Sequence, residues 1–159
     1  FADIVTGASI GGGPRVQVFG GASVVLAGTP IGPVGGTTTA AGGSPAVLAN
    51  YFAYDPSFRN GVFVAAGDVN GDGTTDVVTG PGFGGSPDVR AFGGTTATQL
   101  GGFFGFDGGL RNGAPVATAD LDADGTDEIL VGAGIASASG AESGTGSGTA
   151  TTASNGGGT

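Results

Sequence analysis

A nine-residue acidic segment occurs twice in this chain, 52 positions apart, and its composition confines both copies to tight loops. The first copy is DVNGDGTTD, Asp68 to Asp76, and the second is DLDADGTDE, Asp120 to Glu128. Oxygen-bearing side chains stand at loop positions 1, 3, 5 and 9. They are Asp68, Asn70, Asp72 and Asp76 in one copy, and Asp120, Asp122, Asp124 and Glu128 in the other. Gly73 and Gly125 hold position 6, where glycine permits the sharp turn that brings alternate side chains inward. A hard cation such as calcium takes about six to eight oxygen ligands, and a curling loop of this pattern offers them. The backbone carbonyl of position 7, Thr74 or Thr126, is the natural further ligand. The alternative is a metal-free turn, because Asp, Asn and Gly favour tight turns without any ion. Matching ligand positions in two copies favour two calcium sites.

An EF-hand would need a bidentate Glu at position 12 and a helix on each side. Position 12 is Thr79 in one copy and Val131 in the other. The flanks VFVAAG and DVVTG, then APVATA and EILVG, are short β-branched runs that read as strands, so each loop joins two adjacent strands. Charge supports the metal. Of the chain's 13 acids, three occupy ligand positions in the first loop and four in the second. Crowding carboxylates without a counter-ion is costly. The four basic residues, Arg15, Arg59, Arg90 and Arg111, all lie outside the loops. Two calcium ions would offset four of the nine excess negative charges.

The loops belong to a longer repeat. FAYDPSFRNGVFVAAGDVNGDGTTD, Phe52 to Asp76, aligns without gaps on FGFDGGLRNGAPVATADLDADGTDE, Phe104 to Glu128. FADIVTGASIGGGPRVQVFGG, Phe1 to Gly21, matches TTDVVTGPGFGGSPDVRAFGG, Thr74 to Gly94, at an offset of 73. The two offsets differ by 21, and the extra length falls between about Ala22 and Ala49, which reads as an insertion. The expected organisation is a half-repeat at 1–21, the insertion at 22–49, a full repeat at about 52–103, a partial repeat at 104–134 and a Gly/Ser/Thr-rich tail at 135–159.

On GDVNGDGTTDVVTGPG, GGGPRVQVFGG, GGSPDVRAFGG and FFGFD, the chain resembles the FG-GAP-like, VCBS-type repeats of integrin α-chain propellers and large secreted bacterial proteins, over roughly Phe1 to Gly134. The resemblance implies an all-β fold of tandem four-stranded antiparallel blades, incomplete as a propeller within this chain. It also implies calcium in the loop between the first two strands of each blade. The ligands it implies are those already named, with Glu128 where the family has Asp.

The strand reading agrees. Val62–Ala66, Val77–Thr79, Val89–Phe92 and Gln99–Phe106 are short and β-rich, and turn residues separate them. No stretch shows sustained helical periodicity. Phe52, Tyr54, Phe104 and Phe106 alternate along two equivalent strands and are expected to pack in the core. Tyr51 and Tyr54 read as packing groups. Asp55 with Arg59, and Asp107 with Arg111, read as ion pairs that stabilise turns.

A chain of 159 residues allows one domain of ordinary size. Its 38 Gly lack a Gly-x-y period, which excludes collagen. No run reaches 18 apolar residues, so no membrane span is expected. A net charge of −9 without Lys argues against nucleic acid as a partner. Without Cys, stability must come from packing and metal. Without His, Cys or Lys, the commonest catalytic bases and nucleophiles are missing, so an enzyme is the weakest reading.

Two non-catalytic classes remain. One is a binding or adhesion module, with the 22–49 insertion as a recognition loop or the chain as an excerpt of a larger secreted propeller. The favoured one is a structural repeat unit. Propellers need about four to eight blades to close, and this chain has strands for a little over two. Asp3 matches Asp76 with positions 1 to 8 nearly all missing before it, and the pattern dissolves after EILVGAG. Head-to-tail contact between copies would complete the half-repeats, and contacts that do not close produce filaments. The expected joint runs between 1–21 of one copy and 114–159 of the next. Neighbouring repeats of a longer chain are the competing partners. The tail's composition reads as a linker. No Asn-x-Ser/Thr sequon is present, so any sugar would be O-linked, on Thr37–Thr39 or the tail threonines. Calcium loops without the position-12 Glu fit the weak sites of extracellular modules, at about 10⁻⁴ to 10⁻³ M, which points outside the cell or to its surface.

Overall fold

The structure, a computed structural model, describes residues 2–21 and 46–134. The insertion up to residue 45 and the tail from 135 onward, with the contact expected of that tail, lie outside the described residues. The described chain is all-β. Its strands are β1 (Ile4–Gly7), β2 (Arg15–Phe19), β3 (Val47–Phe52), β4 (Val62–Gly67), β5 (Asp76–Pro81), β6 (Asp88–Gly93), β7 (Gln99–Phe104), β8 (Val116–Ala119) and β9 (Glu128–Val131). They form three antiparallel sheets in the orders β1-β2-β3, β4-β5-β6-β7 and β8-β9, none closed into a barrel. β3 starts at Val47, so the last residues of the 22–49 segment belong to the first sheet.

The sequence offsets map these sheets onto one another. A shift of 73 carries β1 and β2 onto β5 and β6, and a shift of 52 carries β3 onto β7. The same 52 carries β4 and β5 onto β8 and β9. The first sheet therefore holds the last three strands of the unit, the second holds all four, and the third holds the first two. Even an irregularity recurs. The β2–β3 register slips between Val18 and Phe19, and the β6–β7 register slips between their counterparts Ala91 and Phe92.

β5 shows why these residues stack as sheets. Successive strand residues point to opposite faces, so Val77 and Val78 serve different cores. Val77 and Phe92 pack with Val16, Val18, Ala49 and Tyr51 of the first sheet. Val78, Val89 and Ala91 pack with Val116, Ile129 and Val131 of the third and with Ala114 just before it. With a neighbour on each face, all six residues of β5 are buried, the polar Asp76 and Thr79 included. Equivalent hydrogen bonds join successive sheets. Val62 N–H donates to the Ala8 carbonyl at 2.8 Å, and its counterpart Ala114 N–H donates to the Pro81 carbonyl at 2.9 Å. Gly11 N–H donates to the Arg59 carbonyl at 2.8 Å, and Gly84 N–H to the Arg111 carbonyl at 2.7 Å.

The aromatic residues divide differently from the expectation. Tyr54 packs against the first core, with its hydroxyl donating to the Asp88 carbonyl at 2.6 Å. The Arg90 guanidinium lies 4.7 Å from the centre of its ring. Phe52, Phe104 and Phe106 are 50%, 61% and 37% exposed. They are not core residues, because β3 and β7 are the outer strands of their sheets. β7 also ends at Phe104, short of Phe106.

The turn acids and arginines act separately rather than as ion pairs. Asp55 Oδ1 accepts from Ser57 N–H at 2.8 Å, and Arg59 donates to the Pro56 carbonyl at 2.8 Å. Asp107 Oδ1 accepts from Gly109 N–H at 2.8 Å, and Arg111 donates to the Gly108 carbonyl at 2.7 Å. A close backbone acceptor satisfies each guanidinium locally. The ion pair among the described residues joins Arg90 to Asp88 at 2.6 Å.

Tyr51 has one costly feature. Its ring centroid lies 4.9 Å from that of Phe92, but its buried hydroxyl has no hydrogen-bond partner among the described residues. Burial pushes its pKa up to about 12. A buried donor without an acceptor costs about 1–3 kcal/mol. The counterpart of Tyr51 in the next unit is Phe103. Tyr51→Phe is therefore expected to stabilise the fold by about 1 kcal/mol, read as a higher denaturant midpoint at an unchanged slope.

Candidate metal centre

Both acidic loops lie where the repeat places them, between β4 and β5 and between β8 and β9. Most of their hydrogen bonds match position by position, while the Gly71 N–H bond to Asp68 Oδ1 at 2.8 Å belongs to the first loop. The position-1 carboxylate closes the loop. Asp68 accepts from Asp72 N–H at 3.2 Å and Gly73 N–H at 2.7 Å, and Asp120 accepts from Asp124 N–H at 3.2 Å and Gly125 N–H at 3.0 Å. The position-3 oxygen accepts from the position-5 N–H, Asn70 from Asp72 at 2.9 Å and Asp122 from Asp124 at 3.2 Å. The position-5 carboxylate accepts from the position-7 N–H at 2.8 Å in both, Thr74 to Asp72 and Thr126 to Asp124. The Thr74 hydroxyl also bonds Asp72.

Position 9 returns to the loop entrance. Asp76 Oδ2 accepts from Val69 N–H at 3.3 Å, and Glu128 Oε2 accepts from Leu121 N–H at 2.7 Å. The longer side chain of Glu128 makes the same bond as the Asp it replaces.

This winding needs the left-handed backbone region twice. Position 6 has φ of +81° at Gly73 and +91° at Gly125. Position 4 has φ of +73° at Gly71 and +62° at Ala123. A Cβ in this region costs roughly 1–2 kcal/mol. Ala123→Gly is expected to stabilise the second loop by about 1 kcal/mol, seen as a higher midpoint and, at equal ionic strength, tighter calcium uptake at that loop.

The donor set suits a hard dication. One carboxylate oxygen each from Asp120, Asp122 and Asp124 lies within 4.8 Å of the others, and all three side chains are exposed. In the first loop Asn70 replaces the middle carboxylate. Its Nδ2 donates to Asp72 Oδ2 at 3.0 Å, a contact that a cation between the two side chains would replace. Asp76 is only 1% exposed. Burial holds its carboxyl above the usual carboxylate range, and repulsion from Asp72 and Asp68 adds to this against the Val69 hydrogen bond. Hydrogen bonds from Thr74, then from Asn70, hold the solvent-facing Asp72 below that range. The loop thus gathers negative charge around a buried carboxylate that has no cationic side chain beside it among the described residues, and calcium would supply the missing charge.

Asp127 was not among the expected site residues. It is a further acid of the second loop, at position 8, where the first copy has Thr75. Its Oδ2 accepts from Asp68 N–H at 2.8 Å, and its own N–H donates to the Asp68 carbonyl at 2.7 Å. The Thr118 hydroxyl adds a bond to the Ala66 carbonyl at 2.7 Å. Position 1 of the first loop is thereby tied to position 8 of the second. The only signal in the sequence was the mismatch between the copies, Thr in one and Asp in the other. Compared with protein families, curated proteins and solved structures, the chain matches none.

Proposed function

We propose that this chain is a non-catalytic, calcium-binding structural repeat protein of the extracellular space or cell surface. Its stacked sheets would be blade-like units of the FG-GAP-like type, joined head-to-tail to copies of the chain or to neighbouring repeats of a longer one. The observation that carries this reading is the shared loop scaffold. Two segments with different side chains share the position-1 and position-9 hydrogen bonds, and in the second Asp120, Asp122 and Asp124 bring carboxylate oxygens within 4.8 Å of one another.

In this reading Asp68, Asn70, Asp72, the Thr74 carbonyl and Asp76 hold one calcium ion. Asp120, Asp122, Asp124, the Thr126 carbonyl and Glu128 hold the other. Each ion pins the connection between the first two strands of a unit, so metal binding and folding are linked. The absence of His, Cys and Lys supports a non-catalytic role. The recurring bonds between sheets support a unit built to be repeated.

Calorimetric titration of the metal-free chain tests the metal. Two calcium ions per chain are expected, displaced by a chelator and not by monovalent salt at equal ionic strength. No calcium uptake by the folded chain overturns the reading.

A further inference from the structure

Three Asn–Gly pairs lie among the described residues, Asn60–Gly61, Asn70–Gly71 and Asn112–Gly113. A fourth, Asn155–Gly156, lies outside them. In such a pair the glycine nitrogen reaches the preceding side-chain carbonyl with little hindrance, because glycine has no Cβ. Its attack on the amide carbon closes a five-membered imide and expels ammonia. The three pairs differ in what surrounds the reacting atoms.

At Asn60 and Asn112 the following glycine is buried. A Cβ added to Gly61 would lie 2.6 Å from the Ala8 carbonyl oxygen, and one added to Gly113 would lie 2.9 Å from that of Pro81. Gly113 N–H points at the Gly85 carbonyl, 3.4 Å away. Close packing of this kind opposes the backbone pivot that ring closure needs. Asn70 and Gly71, by contrast, are both exposed. Each atom that must react there also has a suitable partner. Gly71 N–H donates to Asp68 Oδ1 at 2.8 Å, so its proton has an acceptor as the nitrogen attacks. Asp72 N–H donates to Asn70 Oδ1 at 2.9 Å, where negative charge develops during the attack. Asn70 Nδ2, the leaving nitrogen, donates to Asp72 Oδ2 at 3.0 Å. The second loop has no such pair, because its positions 3 and 4 are Asp122 and Ala123.

We propose that Asn70–Gly71 is a self-modification site, where deamidation gives position 3 of the first loop the carboxylate that the second loop carries in Asp122. The bond from Gly71 N to Asn70 Cγ forms and the Cγ–Nδ2 bond breaks. The Gly71 proton passes by way of Asp68 and solvent to the departing ammonia. Water then opens the imide at either carbonyl and leaves aspartate or isoaspartate. Aspartate gives the first loop carboxylates at positions 1, 3 and 5, the set that Asp120, Asp122 and Asp124 bring together in the second. Isoaspartate inserts a methylene into the main chain within the turn and shortens the side chain, which withdraws the position-3 oxygen. The covalent step stands on the exposure and hydrogen bonds of the loop. Its effect on metal uptake rests on the calcium reading.

The test holds the full chain with a chelator at mildly alkaline pH and follows each Asn by peptide mapping that separates aspartate from isoaspartate. Asn70 is expected to convert roughly tenfold faster than Asn60 or Asn112, a difference of about 1.4 kcal/mol in barrier. In guanidinium the three rates are expected to converge. Asp68→Asn keeps an oxygen that can accept from Gly71 N–H but removes the carboxylate, and should slow conversion of Asn70 severalfold. Folded Asn70 that converts no faster than Asn60 and Asn112, a preference that persists unchanged in guanidinium, or Asp68→Asn without slowing overturns the proposal. Calorimetry of the Asn70→Asp chain reads the consequence, with tighter calcium uptake expected at the first loop, and uptake no tighter than in the parent refutes the gain at position 3. A chain that binds calcium and keeps Asn70 intact refutes the modification alone. A chain that converts Asn70 and binds no calcium refutes the metal and leaves the modification.

Discussion

Removing calcium with a chelator is expected to lower the melting midpoint by on the order of 10 °C. A ligand at a hundred times its dissociation constant stabilises the native state by about 2.7 kcal/mol per site, and each kcal/mol shifts the midpoint of a domain this size by several degrees. The physical origin is the crowding in each loop. Asp120, Asp122 and Asp124 bring carboxylate oxygens within 4.8 Å of one another, and Asp68 and Asp72 repel the buried Asp76, with no basic side chain among the described residues paired to them. Asp72→Ala and Asp124→Ala should each remove one ion from the calorimetric count and about half of the chelator-sensitive stability. Asp55→Ala, in a turn outside both loops, should leave the calcium dependence intact. The reciprocal bonds between Asp68 and Asp127 add a finer expectation. Filling one loop orders an end of the other, so Asp124→Ala should also weaken uptake at the first loop, and Asp127→Ala should remove that dependence. An identical midpoint with and without chelator would refute the coupling of metal to folding.

Gly80→Ala is expected to cost about 3 kcal/mol or more, the upper range for forcing atoms into a packed interior. Gly80 lies in the fully buried β5. A Cβ there would overlap the Ala114 carbonyl oxygen, with Val116 Cγ1 only 3.1 Å away. The obstacle is backbone, which cannot rotate aside as a side chain can. Ala114 is also the residue whose N–H bonds the Pro81 carbonyl, so the overlap pushes the second and third sheets apart at their joint. The equivalent change in the first interface, Gly7→Ala, meets the Val62 carbonyl oxygen at 2.6 Å and should cost less. Urea denaturation of the two variants gives the comparison. A Gly80→Ala chain as stable as its parent would show that the sheets separate without loss.

The sequence by itself determined the local chemistry. Loop positions are set by spacing along a short segment, so the shared loop and the placement of oxygen side chains at positions 1, 3, 5 and 9 were readable from Asp68–Asp76 and Asp120–Glu128. The positions of β4, β5 and β6 followed from β-branched runs between turn residues. The repeat offsets of 52 and 73 also foretold which strands are equivalent, because equivalent residues face equivalent surroundings. What only the tertiary structure decided depends on neighbours distant in the chain. Alternation marks Phe52, Phe104 and Phe106 as sharing a face, but it cannot say whether another sheet covers that face, and at the outer strands none among the described residues does. Opposite charges four residues apart suggested ion pairs in the two turns, yet nearer carbonyls took the Arg59 and Arg111 donors. Asp127 gained a role only from the packing of adjacent sheets, which brought it against Asp68, 59 residues away in sequence. Spacing along the chain fixes what a loop can offer, and the contacts between sheets fix which of those offers are taken.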